Sequence, residues 1–104
     1  MKLVQPTDFE ILDQLQEGRN VAANISIELN KDRAYINTRL PELADYGLLQ
    51  KVGPSPNSGL YEITDLGEYA VIYQDKYDVL NVNLKNLSTK SYNSKLIVHL
   101  SSLF

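Results

Sequence analysis

The chain has 104 residues, 43% hydrophobic and 22% charged, enough for one compact domain with an appendage and too ordinary in composition for a disordered segment. It has no cysteine and one histidine, His99, which excludes disulfide staples, thiolate zinc sites, cysteine nucleophiles and histidine-based triads. The net charge of −3 argues at first sight against a nucleic-acid partner, but it is unevenly spread. Residues 1–78 hold all thirteen acids and seven of the ten Lys/Arg, a net −6, whereas residues 79–104 hold three lysines. No apolar run reaches the roughly 18 residues of a membrane span. Pro6 interrupts the opening Met-Lys-Leu-Val-Gln before any signal-like apolar stretch. A cytoplasmic location is expected, with no membrane contact.

Thr7-x-x-Glu10, just after Pro6, has the form of a capping box. With Ile11, Leu12 and Leu15 as an apolar stripe and Gly18 as a stop, it predicts a first helix over about residues 8–17. Asn20 is placed to cap a short second helix, about 21–29, carrying Ala22, Ile25 and Leu29 at helical spacing. Asn30-Lys31 makes a tight turn, and Asp32 reads as the N-cap of a third helix, about 32–46. There Ile36, Leu40 and Leu43 recur at i, i+4 and i+7, the mark of one buried face. Pro41 should bend this helix, and Gly47 ends it.

The period then changes. Residues 48–52 and Leu60–Ile63 read as two strands around Gly53-Pro54-Ser55-Pro56-Asn57-Ser58-Gly59, a run of turn formers. Thr64 or Asp65 opens a fourth helix. The order is helix, helix, helix, hairpin, helix. Two short helices joined by a tight turn read as a helix-turn-helix, and the hairpin after them as its wing. The expected fold is α+β: a winged helix-turn-helix of three helices, a two-stranded wing hairpin and a C-terminal helix.

Three segments carry a family resemblance. Arg33-Ala34-Tyr35-Ile36-Asn37-Thr38-Arg39-Leu40-Pro41, Leu43-Ala44-Asp45-Tyr46-Gly47-Leu48-Leu49 and Asn57-Ser58-Gly59-Leu60-Tyr61-Glu62-Ile63-Thr64 resemble the archaeal winged-helix regulators typified by the phage phi-H repressor of halophiles. The resemblance covers about residues 7–78. It implies a sequence-specific DNA-binding transcription regulator and says nothing of residues 79–104.

Side chains can be placed individually. At 100° per residue from Ile36, Leu40 and Leu43 lie within about 40° of the core direction, while Ala34, Asn37 and Thr38 fall between about 100° and 200°, outward. Arg33 stands in the first turn, where the positive helix end and a guanidinium favour phosphate or guanine. Asn37 can contact adenine bidentately, Thr38 can donate or touch a thymine methyl, and Ala34 permits close approach. Tyr35, on the flank, either reaches phosphate or packs on the second helix. Arg39, beside the core stripe, either pairs with an acid or contacts phosphate. Glu42 and Asp45 face outward only in the C-terminal half. With Lys31 in the turn, and Lys51, Asn57 and Ser58 in the wing, these residues form the candidate DNA-binding set. The wing has no arginine, so it is expected to position more than to specify.

Leu66, Tyr73, Leu80 and Leu87 fall seven apart, as do Ala70, Tyr77 and Leu84, an a/d pattern suggesting a fourth helix extended to about residue 87 that pairs with its own copy. Against this, Val79-Leu80-Asn81-Val82-Asn83-Leu84 also reads as a strand. The expected division is a DNA-binding domain over 1–78 and a dimerising extension over 79–104. No cofactor, metal or enzymatic constellation is visible, and the acids look scattered along solvent faces. The second reading is a winged-helix module that binds protein instead of DNA, which the acidic balance suits. Around the third helix, however, residues 31–53 balance four Lys/Arg against three acids. Weak non-specific DNA affinity and reliance on base contacts are expected.

Overall fold

The computed structural model describes residues 1–76. Its elements are α1 (Thr7–Leu15), β1 (Asn20–Val21), α2 (Ala22–Leu29), α3 (Arg33–Asp45), β2 (Leu49–Lys51), β3 (Leu60–Ile63) and α4 (Asp65–Ile72), followed by a 3-10 turn, Gln74–Lys76. The sheet is antiparallel with order β1-β3-β2. The α+β winged helix is therefore formed, with one strand more than expected. Asn20 and Val21 pair with Tyr61 and Leu60, a ladder too short to leave a periodic signal in sequence.

That ladder changes how α2 begins. Asn20 lies in the strand, one residue too early to cap, and Val21 takes the N-cap position without a side-chain bond. The Asn20 Oδ1 instead accepts from the Val21 N–H (2.9 Å) and from Asn24 Nδ2 (2.8 Å). The capping box of α1 is also absent. Thr7 is buried as the first helical residue, and Pro6 at the N-cap makes no side-chain bond. Glu10 reaches across to Lys31 rather than back to its own helix end.

The expected turns hold. Asn30 adopts φ 54° and ψ 50°, with Asn30 N–H donating to the Ile27 carbonyl and Lys31 N–H to that of Ser26. The same paired bonds close α3, from Gly47 to Ala44 and from Leu48 to Leu43, with Gly47 at φ +84°. Both are Schellman closures, in which a left-handed residue lets two terminal carbonyls be satisfied. Asp32 caps α3, accepting from the Tyr35 N–H at 3.2 Å. The helix runs through Pro41. The carbonyl that proline leaves without a helical donor is that of exposed Asn37, where solvent is at hand.

Ile36, Leu40 and Leu43 are buried as expected, against Ile11, Leu12 and Leu15 of α1, Ile25 of α2, and Leu48 and Leu49. Thr64 joins the wing to α4. Its hydroxyl oxygen accepts from the Gly67 N–H (3.1 Å) and its proton goes to the Gly47 carbonyl (2.6 Å). Gly67 must be glycine, since a Cβ there would stand 2.2 Å from the Leu48 carbonyl oxygen.

The extended fourth helix is corrected. α4 ends at Ile72, Tyr73 leaves helical geometry (φ −109°, ψ 25°), and the Val71 carbonyl accepts a backbone N–H at the helix end and a second bond from Gln74 Nε2 at 3.1 Å. Leu66 and Ala70 are buried in the domain's own core, and half-buried Tyr73 packs against it. Tyr77, Leu80, Leu84 and Leu87, and the division at residues 78/79, lie outside the described residues.

Candidate nucleic-acid interface

The first two turns of α3 present Arg33, Ala34, Tyr35, Asn37 and Thr38 to solvent, opposite the buried Ile36–Leu40–Leu43 face. Among the described residues, the Arg33 guanidinium and the Asn37 amide have no side-chain partner, so their donors remain available. Thr38 differs from expectation. Its hydroxyl donates to the Ala34 carbonyl one turn back, at 3.1 Å. Tyr35 remains 38% exposed, on the flank expected for it. Glu42 and Asp45 are exposed further along, so the basic and neutral groups of the helix stand toward its N-terminus and the acids toward its C-terminus. The unpaired amide dipoles at that N-terminus add to the positive character.

Two expected contact residues are engaged internally. Arg39 pairs with Asp8 through two bonds, Nε to Oδ1 at 3.0 Å and Nη2 to Oδ2 at 2.9 Å. The Asp8 side chain is fully buried and that of Arg39 is 13% exposed. Of the two roles open to Arg39, the structure forms the ion pair. The hydrogen bond to Asp8 raises the arginine's already high pKa against the opposing cost of burial, so the charge is permanent. Lys31 pairs with Glu10 of α1 at 3.3 Å, half-buried.

Asp8 was missed among acids expected on solvent faces. Its signal was present: positions 8, 11, 12 and 15 fall on one helical stripe, so Asp8 shares the buried side of α1. It also accepts from the Val4 N–H at 2.6 Å. One carboxylate thereby holds the N-terminal arm, α1 and α3 together. What could not be read locally is its partner, 31 residues away.

The wing stands apart from α3 in chemistry. Asn57 and Ser58 are exposed at the tip. The Ser58 hydroxyl donates to the Val52 carbonyl (2.8 Å), bracing the tip, and Lys51 Nζ folds toward the Pro56 carbonyl (3.4 Å). On the sheet, Glu62 accepts from Gln50 and lies 3.9 Å from Arg19. Among the described residues there is no group of three or more His, Asp or Glu able to hold a metal ion, and no helix long and apolar enough to cross a membrane.

No family model matches the sequence, and no curated protein sequence matches it. Solved structures do resemble it. The adhesin competence repressor AdcR of Streptococcus pyogenes is similar with a TM-score of 0.59 and 16% identity, over 96% of this chain and 76% of that one. The oxidised form of MarR from E. coli gives 0.55 and 20%, over 96% and 72%. A mutant MarR from E. coli, complexed with operator DNA, gives 0.56 and 17%, over 96% and 72%. At such identities the likeness establishes a shared fold, and that fold is the winged helix.

Proposed function

We propose that this chain is a sequence-specific DNA-binding transcription regulator, a repressor that occludes its promoter, of the kind the resemblance to archaeal phi-H-type regulators implies. The observation that carries the reading is the exposed first half of α3. Arg33 and Asn37 stand there exposed, their donors without a partner among the described residues, beside Ala34 and Thr38, on a fold that in a mutant MarR is seen complexed with operator DNA. In this reading α3 enters the major groove by its N-terminal half, Arg33 meets phosphate or guanine, Tyr35 meets phosphate, and Asn37 addresses adenine. The wing, through Lys51, Asn57 and Ser58, lies on the backbone or minor groove. Arg39, paired with Asp8, ties α3 to α1, and Lys31 in the turn before α3 pairs with Glu10 of α1. The DNA-binding domain is assigned to residues 1–78. Homodimerisation is assigned to residues 79–104 and Tyr77, with Leu80, Leu84 and Leu87, which would place two copies on a pseudo-palindromic operator.

The test is selection of bound fragments from the source genome, followed by binding at several salt concentrations. Arg33→Ala is expected to weaken binding and lower the salt slope by about 1 if it meets phosphate, while Asn37→Ala relaxes base preference. Sequence-selective binding that neither change affects would overturn this assignment of the face. Failure to bind any fragment would favour the protein-binding module that the net charge of −3 suits.

A further inference from the structure

Resting on the DNA-binding reading above, we infer that Thr38 is a specificity-determining residue that reads the C5-methyl group of thymine. A threonine on an exposed helix face ordinarily brings three things to a base edge: a donor, an acceptor and a methyl group. Here the donor is already used, because the hydroxyl leans over the preceding turn and gives its proton to the Ala34 carbonyl at 3.1 Å. The γ-methyl and the oxygen lone pairs remain.

The surroundings favour the methyl. Ala34, exposed and one turn before Thr38, is itself a methyl group with no polar atom. Thymine is the base that carries a methyl on its major-groove edge. Asn37, next to Thr38, exposed and without a side-chain partner among the described residues, matches the adenine edge. A methyl reader beside an amide reader suits an A·T step, with the two residues meeting opposite members of a pair or adjacent pairs. The acids at Glu42 and Asp45 repel phosphates further along α3, which confines close approach to these first turns. A protein of net charge −3 that gains little from phosphates would depend on contacts of this kind for affinity as well as selectivity.

The experiment starts from random duplexes of about 20 base pairs, two helical turns, carried through selection with the whole protein. The enriched pool is then copied with deoxyuridine in place of thymidine, which removes methyl groups and leaves pairing and hydrogen-bonding edges intact. The wild-type protein is expected to bind the uracil copy more weakly, by about fourfold for each methyl group it packs against. Thr38→Val, which keeps the methyl and deletes the hydroxyl, should retain the difference between the two pools. Thr38→Ser, which keeps the hydroxyl and deletes the methyl, should bind the thymine pool more weakly and lose most of the difference between pools. Equal wild-type binding to both pools overturns the inference. So does the reverse pattern, with Ser tolerated and Val not, which would mean that the oxygen accepts from a base amino group. If the wild-type protein enriches no sequence, the DNA-binding reading itself falls, whereas enrichment without a thymine effect removes the Thr38 assignment alone.

Discussion

Replacing Arg39 by methionine isolates the charge pair that seats α3. Methionine keeps an unbranched apolar stem in place of the arginine's methylenes, so the loss measures charge and hydrogen bonding more than packing. What remains is the Asp8 carboxylate, fully buried, with both bonds from Arg39 gone and, among the described residues, the Val4 N–H left at 2.6 Å. Removing one member of a buried pair costs about 3–5 kcal/mol, chiefly because the other charge is stranded. The surviving backbone donor places the expectation near the lower end, about 3 kcal/mol. For a domain of this size that is a fall in Tm of about 12–24 °C, read by thermal unfolding followed by circular dichroism. The double variant Asp8→Leu/Arg39→Met removes both charges and should recover most of the loss, because no buried ion is left unpaired. A double-mutant cycle should then give a coupling of at least about 2 kcal/mol. A loss below about 1 kcal/mol in the single variant, or a double variant as unstable as the sum of the two singles, would refute the reasoning.

Gly67→Ala would place a Cβ 2.2 Å from the Leu48 carbonyl oxygen and 2.6 Å from Ile63 Cγ1. That carbonyl also accepts from the Thr64 N–H, so any shift to make room disturbs the junction of wing and α4. A loss of about 3 kcal/mol is expected in urea unfolding, and an unchanged midpoint would contradict the packing described. Burial, with a contribution from Asp45 at Tyr61 and from Tyr73 at Tyr69, raises the pKa of both tyrosine hydroxyls above the ordinary 10.0. A raised folded-state pKa means that this contribution to stability is fully present below pH 10 and is lost as pH rises through the folded value. Stability should therefore fall in strongly alkaline solution, and Tyr61→Phe and Tyr69→Phe should each lessen the fall. The Tyr69 hydroxyl is buried without a hydrogen-bond partner among the described residues, so Tyr69→Phe should cost little at neutral pH.

The parts of the fold legible in sequence are those set by short-range physics. The 3.6-residue period placed Ile36, Leu40 and Leu43 on one face, and the same arithmetic placed Ala34, Asn37 and Thr38 on the other. Asp32 as a cap, Asn30-Lys31 as a tight turn, Gly47 as the end of the third helix, and Leu60–Ile63 as a strand each depend on a residue and its neighbours within about four positions. The failures have a common cause. Thr7 and Glu10 have the right spacing for a capping box, yet Thr7 is drawn into the core and Glu10 to Lys31. Asn20 has the right chemistry for a cap, but a partner strand forty residues on holds it extended.

By itself, then, the sequence determined the first three helices, their apolar stripes, the turns between them and the outward set on α3, because periodicity and backbone chemistry act locally. Only the tertiary structure decided which of the cations around α3 are paired among the described residues. Arg39 and Lys31 resemble Arg33 in sequence terms, but Asp8 and Glu10 pair with the first two, and Arg33 has no such partner among the described residues. It also decided that Leu66 and Ala70 lie in the core of their own domain, since an apolar spacing of three and four fits a self-packed helix and a dimer seam equally well. Long-range pairing has no period along the chain, so the choice among partners appears only once the chain has folded back on itself.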